Sequence, residues 1–405
     1  MSEELKGKEY LKRKLETKRS RVITRYKYYE MKKAAEDLKI STPDKLRWLN
    51  STLGWCAKAV DSLADRIVFR EFRDDNLGMQ DIFQMNNQDI FTDSAILSAL
   101  ISSCSFCYIA PDEATPRIQV IDGGNATGDI DPITFLLKEG YAVLKRDTDT
   151  EKPILEAYFT PTETWYYENG KAPYSVSHEA GVPLLVPIIN RPDDKRPFGH
   201  SRISRACMYL QNAAARTMKR SEITAEFYSF PQKYVTGLSQ DAERIDSWRA
   251  AISSMMAFDK DNDGDHPVVG QFSQASVQPH IDQLKMFASA FGGETGLTLD
   301  DLGFPQSNPS SVEAIKAAHE SLRLTARKAQ RDFGTGFLNV GYTAACLRDS
   351  YHYKREIIYL TKPVFEPVFE PDAAMLSGIG DAVLKLNQAV PDYVTADKMR
   401  DMTGF

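Results

Sequence analysis

The sequence predicts an α+β fold, a small β-rich body framed by long helices. Three observations carry this expectation. Apolar residues recur at steps of three and four before residue 102 and again after residue 311, the spacing of a buried helical face. Between Phe106 and Asn190 the pattern changes to short apolar or aromatic runs separated by Gly, Asp, Asn and Pro, as in strands and turns. A helix of about 27 residues then runs from Ser201 to Phe227; at ~40 Å it is longer than most compact domains need.

Residues 1–39 are basic and helix-prone, with Tyr26, Tyr28 and Tyr29 near the end. Ser41-Thr42-Pro43-Asp44 reads as a helix start. Leu49, Leu53, Cys56, Val60, Leu63 and Ile67 then give one apolar face to a helix over Leu46–Phe69, and a second helix is expected over Gln80–Ser102. Strands are expected at Phe106–Ala110, Arg117–Ile121, Tyr141–Lys145, Ile154–Phe159 and Thr164–Tyr167, and a loop from Asn190 to Gly199. Along the long helix, Ile203, Cys207, Leu210, Ala214, Thr217 and Ser221 form a stripe that becomes small and polar, and Pro231 ends it.

Residues 231–277 read as a strand (Lys233–Thr236), an amphipathic helix (Asp241–Met256) and an acidic turn holding Asp259, Asp261, Asp263 and Asp265. A short helix follows Pro279, then a Gly-rich loop from Gly292 to Pro309. Ser310 and Glu313 make a capping box that opens the next helix. Its stripe of Val312, Ile315, His319, Leu322, Ala326, Ala329 and Phe333 is heptad-like. Packing inside the subunit is the first reading of that stripe, and a seam between proteins the second. Gly334 and Gly336 are expected to weaken or kink the helix before Phe337–Leu347 continues it. Short helices over Ala373–Ala389 and Thr395–Met402 close the chain, after a two-copy echo of Val-Phe-Glu-Pro from Val364 to Pro371.

Of 405 residues, 42% are hydrophobic and 26% charged, which excludes general disorder and fits two or three domains or one elongated subunit. The net charge of −6 is uneven: residues 1–39 hold thirteen Lys/Arg and seven Asp/Glu, a net of +6, so the remainder carries −12. From Ser239 to Asp301 there are eleven acids and four bases, so the chain presents distinct surfaces to distinct partners. The five cysteines form no even framework, and residues 1–20 contain no apolar stretch of the kind that directs export, so a soluble protein of a reducing compartment is expected. The most apolar run, Ala95–Ala110, is interrupted by Ser98, Ser102, Ser103 and Ser105 and is short for a bilayer span of ~20 residues.

Motifs for chemistry are weak. There is no G-x-x-x-x-G-K-[ST] loop to cradle phosphates, no G-x-G-x-x-G after a strand and no G-x-S-x-G elbow. Cys104 and Cys107 stand alone, whereas zinc wants four ligands, so they read as core. The acidic turn begins like a calcium loop with Gly264 at position six, but position twelve is Gly270 in place of a bidentate Glu. The six histidines, His178, His200, His266, His280, His319 and His352, form no H-E-x-x-H. No catalytic residue, metal or cofactor is expected.

The order of elements resembles the portal proteins of tailed bacteriophages, particularly those of siphophages infecting Gram-positive bacteria. The matching stretches are Pro197-Phe198-Gly199-His200-Ser201-Arg202-Ile203 before one long helix, Gly303-Phe304-Pro305 with Asn308-Pro309-Ser310-Ser311-Val312-Glu313-Ala314-Ile315 before the next, and Leu53-Gly54-Trp55-Cys56 through Val60-Asp61-Ser62-Leu63-Ala64. Together they span about residues 25–350 in the family's order.

The resemblance implies an elongated subunit. After the basic N-terminal segment, residues 40–199 and 349–370 would form the wing, 200–230 and 278–292 the stem, 231–277 a small α/β clip, 293–310 the tunnel loop, 311–348 the tunnel helix and 371–405 a short crown. It also implies a dodecameric ring at one capsid vertex of the virion, assembled in the host cytoplasm. That ring would be the channel for packaging and ejecting double-stranded DNA, bound without sequence preference. The implied partners are other copies of the chain, the terminase large subunit, a head–tail connector or adaptor, and the major capsid and scaffolding proteins, with no membrane. Channel contacts would fall to Thr298, Asp300, Asp301, Gln306, Ser307 and Asn308 of the tunnel loop, clip charge to the four aspartates, and helix packing to Val312, Ile315, Leu322, Ala326, Ala329 and Phe333.

Two other readings stand beside it. A DNA-binding or DNA-processing protein would grip with the basic N-terminal segment and show strong salt dependence. A metal or redox enzyme would be built on Cys104 and Cys107 or on the acidic turn.

Overall fold

Phenylalanines from distant parts of the chain meet at the centre of the body. Phe69, Phe72, Phe83, Phe91, Phe337 and Phe365 contact one another with ring centroids 4.8–6.5 Å apart. Each brings a large apolar area and a preference for tilted or edge contacts, so the cluster ties residues 69–91 to residues 337–365. The computed structural model describes residues 5–35, 44–112, 115–229, 233–236, 268–271, 276–305, 312–369 and 373–403.

Ahead of the β-body lie α1 (Lys8–Tyr29), α2 (Trp55–Ala64), α3 (Met79–Met85) and α4 (Gln88–Ser102). The helix expected over Leu46–Phe69 is thus shorter, because Ile67, Phe69 and Phe72 are buried beyond its end, the last two in strand β1 (Phe69–Arg73). That strand pairs antiparallel with β12 (Lys362–Phe365), a partner no local pattern could announce. The helix expected over Gln80–Ser102 is two helices. Asn87 takes a left-handed φ of 53° at the break, and Asn86 binds across to β3 (Arg117–Ile121), donating to the Pro116 carbonyl and accepting from the Ile118 N–H.

Two sheets make the β-body. The first has the order β3-β2-β9, with β2 (Cys104–Ala110) central and β9 (Leu185–Ile189) at an edge, where Pro187 costs no ladder bond on the open side. The second is an antiparallel meander of β4 (Ala126–Ile130), β5 (Leu137–Arg146), β6 (Pro153–Phe159), β7 (Glu163–Glu168) and β8 (Tyr174–Ser177). The buried hydroxyls of Tyr108 on β2 and Tyr166 on β7 meet at 2.7 Å and join the two sheets.

The later helices are α5 (Arg205–Ser229), α6 (Gln278–Thr295), α7 (Val312–Ala318), α8 (Glu320–Arg348), α9 (Ala373–Ala389) and α10 (Ala396–Thr403). Between α5 and α6 lies the antiparallel ribbon of β10 (Lys233–Thr236) and β11 (Val268–Gln271). Helix α6 runs to Thr295, so Gly292 and Gly293 are helical and the expected Gly-rich loop begins only at Gly296, whose φ of 73° caps the helix.

Helix α8 is continuous through Gly334 and Gly336, contrary to the expected kink. A Cβ at Gly334 would stand 2.8 Å from Pro363 and one at Gly336 2.8 Å from Ile188, so these glycines let the helix lie directly on β12 and β9. The interruption falls instead at His319, between α7 and α8. The capping box at Ser310 and the Asp241–Met256 helix lie outside the described residues. Among the described residues, no helix is long and apolar enough to cross a membrane.

Candidate functional site

The loop Pro197–Ile203 delivers the chain into α5 and is locked from several sides. Gly199 has a φ of +69°, and a Cβ there would come 2.1 Å from the Asn190 carbonyl oxygen, so only glycine fits. Ser201 Oγ donates to the Ile101 carbonyl at 2.6 Å and the Arg202 N–H to the Leu100 carbonyl at 2.8 Å, satisfying the open end of α4. The Arg202 guanidinium donates through Nε to the Ala59 carbonyl of α2 at 3.2 Å and through Nη2 to the Thr295 carbonyl at the end of α6. Carbonyls at a helix C-terminus carry partial negative charge, which suits a cation. Burial still pushes the Arg202 guanidinium down to about 10. The Arg202 side chain thus ties α2 to the end of α6, while its backbone and Ser201 hold the end of α4.

From that joint α5 and α6 run side by side. Thr217 donates to Gln283 at 3.1 Å and Thr224 lies 3.3 Å from the His280 ring. The stripe read from the sequence faces this partner and the body: Ile203, Cys207, Ala214 and Thr217 are buried, Leu210 and Ser221 partly so. Gln211 is buried as well and accepts the Cys56 N–H at 2.7 Å, fixing α5 against α2. Tyr209 and Met286 stay 64% and 57% exposed, so the pair keeps an outer apolar face.

After α6 comes a tight turn. Asp301 accepts from the Thr298 N–H and hydroxyl, both at 2.9 Å, and lies 3.1 Å from His319 Nε2 at the α7–α8 break. Partial burial pushes the Asp301 carboxyl up, but the two Thr298 donors and the His319 ring together hold it below the usual carboxylate range. Thr298 and Asp301 therefore brace the turn, while Asp300 is exposed beside them. Gln306, Ser307 and Asn308 lie outside the described residues.

The helical seam divides. Leu322, Ala326, Ala329 and Phe333 are at most 1% exposed within this subunit, so packing inside the chain is what they do. Ile315 on α7 is 49% exposed and stands apart from them, and Val312 opens α7. The clip aspartates Asp259, Asp261, Asp263 and Asp265 lie outside the described residues.

Helix α1 was legible as basic and helical, but its use of that charge was not. Glu139, almost fully buried, accepts the N–H groups of Lys6 and Gly7 at 2.9 and 3.0 Å and the Tyr158 hydroxyl at 2.8 Å. Lys12 meets Glu156 at 2.9 Å, Lys14 and Lys18 donate to the carbonyls of Gly128 and Ala126, and Arg25 donates to that of Ser102. Burial raises the Glu156 carboxyl, but bonds from Lys12 and Tyr141 bring it below its ordinary value. Leu11 and Leu15 close over Tyr141 and Val143. Much of the segment's charge is thereby spent holding α1 to the sheet.

The cysteines are all buried and unbridged, and Cys104 and Cys107, three apart on β2, face opposite sides of the strand. They cannot serve one metal or one disulfide, as their reading as core requires.

The described residues thus combine a β-body, a helix pair held at an arginine joint, a braced turn and a long helix lying across β9 and β12. Residues 8–367 match the family described as phage portal protein, SPP1 Gp6-like, and the chain belongs to that family of structural virion proteins, which are not enzymes. The chain is 26% identical over 331 residues to the portal protein of Mycobacterium phage L5, across 76% of this chain and 67% of that one. It is 26% identical over 333 residues to that of Mycobacterium phage D29, with the same coverage. Among solved structures it is similar to a chain in the virion of a native gene transfer agent particle (TM-score 0.47, 12% identity, 87% of this chain and 89% of that one). It is similar also to one in the neck of an empty particle of that agent computed with C6 symmetry (TM-score 0.48, 11% identity, 87% and 90%).

Proposed function

We propose that the chain forms a closed ring of twelve copies at one capsid vertex, through which double-stranded DNA is packaged and ejected. Membership of the portal family over residues 8–367 carries this reading. In it, the β-body with residues 349–370 is the wing, α5 and α6 are the stem, the ribbon region 231–277 is the clip, and 371–405 is a short crown. Residues 293–310, with Thr298, Asp300, Asp301, Gln306, Ser307 and Asn308, are the loop at the channel, and 311–348 the tunnel helix. Terminase, a head–tail adaptor and the capsid and scaffolding proteins would dock on the ring. Packaging needs a motor, and a partner must supply it.

The pairing of β1 with β12 supports a wing made from two separate parts of the chain, and the exposed Tyr209 and Met286 support stem contacts between neighbours. In the clip, Asp259, Asp261, Asp263 and Asp265 would give the channel like charge, so that a duplex slides without counterion-release affinity. Electron microscopy of the purified protein tests the ring: closed rings with a central hole and twelvefold symmetry are expected, and a compact monomer at every concentration and salt overturns it. Protein carrying Asp259→Asn, Asp261→Asn, Asp263→Asn and Asp265→Asn should still give rings by electron microscopy, while DNA packaging into capsids assembled with it should be impaired.

The competing DNA-gripping role for the N-terminal segment is disfavoured by the internal partners of Lys12, Lys14, Lys18 and Arg25.

A further inference from the structure

The outer face of α8 carries charge that none of the roles above uses. Arg327, Lys328 and Arg331 are exposed there, and across from them stands exposed Lys362 on β12. Between them runs a groove of about 880 Å³. Arg70 and Arg73 of β1 and Arg400 of α10 complete its walls and hold contacts of their own. Among the described residues that line the groove there is no carboxylate. Of the acids on α8, on β1 and just after β12, Asp332 accepts the Arg191 backbone N–H, Glu320 pairs with Arg323, and Glu71 and Glu366 lie outside the lining.

We infer that this groove is a phosphate-backbone site for double-stranded DNA, distinct from the channel loop and the clip. Two further features fit that partner. The floor is apolar, of Pro363, Val364 and Phe365, and offers nothing to read base edges. Its polar side chains other than the cations are already committed: Gln330 donates to the carbonyls of Arg66 and Glu366, and Thr335 to that of Arg331. Cations without amide or hydroxyl readout give sequence-independent backbone contacts. The main-chain N–H groups of an extended acidic peptide would find only Gln330 and Thr335 as side-chain acceptors among the lining residues. In a chain of net charge −6, such a groove is a local exception to the charge pattern. The choice of duplex as partner rests on the portal reading, whereas the groove itself does not.

The test is duplex binding by the full-length assembled protein, using a short mixed-sequence DNA and fluorescence anisotropy from 50 to 200 mM salt. Four phosphate contacts alone would weaken binding about 100-fold over that range. With Arg327→Gln, Lys328→Gln, Arg331→Gln and Lys362→Gln together, the log–log salt slope is expected to be shallower by about 3 to 4, and affinity at 50 mM at least tenfold lower. Single Lys328→Gln and Arg331→Gln variants should each reduce the slope by about 1, which keeps the test decisive if the fourfold variant does not fold. An unchanged slope in well-folded variants overturns the proposal. Tighter binding of polyglutamate than of the duplex, at equal charge and salt, also overturns it, reassigning the groove to an acidic protein. Ring formation, scored separately by electron microscopy, decides the portal reading independently of either result.

Discussion

His319 sits with Nδ1 2.9 Å from the Ile315 carbonyl and Nε2 3.1 Å from Asp301. Both ring nitrogens thus stand within hydrogen-bonding distance of an oxygen, so the ring links α7 to the turn before it. Asp301 is the hub, because it also takes both donors of Thr298. Its carboxyl lies below the ordinary range in the folded state, so the stability it contributes is present above the unfolded value near 4 and is lost as pH falls through the folded one. Replacing Asp301→Asn should therefore cost about 1–2 kcal/mol at pH 7 in urea unfolding, and the gap to wild type should narrow at pH 3. The sequence marked Asp301 as a loop acid and His319 as a member of an apolar stripe. That they meet depends on how the chain turns after Gly296, and spacing says nothing of that.

At the scale of elements, the joint at Arg202 decides how the helix pair leaves the body. Removing its guanidinium leaves the buried Thr295 carbonyl at the end of α6 without that donor and breaks the tie to Ala59 of α2. Arg202→Gln is expected to destabilise by about 1–3 kcal/mol and to speed hydrogen exchange in the last turn of α6. Sequence reading singled out the stretch Pro197–Ile203 but could not tell a buried arginine from an exposed one, since both look alike in a loop. The same limit applied to the glycines of α8. A glycine pair in a helical pattern reads as weakness, yet here Gly334 and Gly336 are points of close approach to strands whose pairing is long-range. By contrast the α5 stripe, the strands at Arg117–Ile121 and Lys233–Thr236, and the helix at Ala373–Ala389 were readable, because period and punctuation are local properties.

For the whole molecule, α1 is an integral part of the body. Deleting residues 1–30 would uncover Tyr141 and Val143, remove the Lys6 and Gly7 donors from Glu139 and the Lys12 partner from Glu156, and leave each carboxylate only a tyrosine hydroxyl. An expected loss of at least about 3 kcal/mol follows from lost apolar burial together with the lost hydrogen bonds and ion pair to the two carboxylates. Thermal melting and soluble yield of the truncated protein check this. A detachable basic arm would instead leave melting unchanged and reduce only DNA binding.

By itself the sequence determined the α+β class, the long-helix framework and the portal family, because helical period, turn residues and motif order are written along the chain. Tertiary structure alone decided which charges are spent inside, as on α1, and which remain outward, as on α8. It alone placed β1 on β12, and Asp301 on His319. Those outcomes depend on residues far apart in sequence sharing one dielectric environment, and burial and partnership arise only when the chain closes on itself.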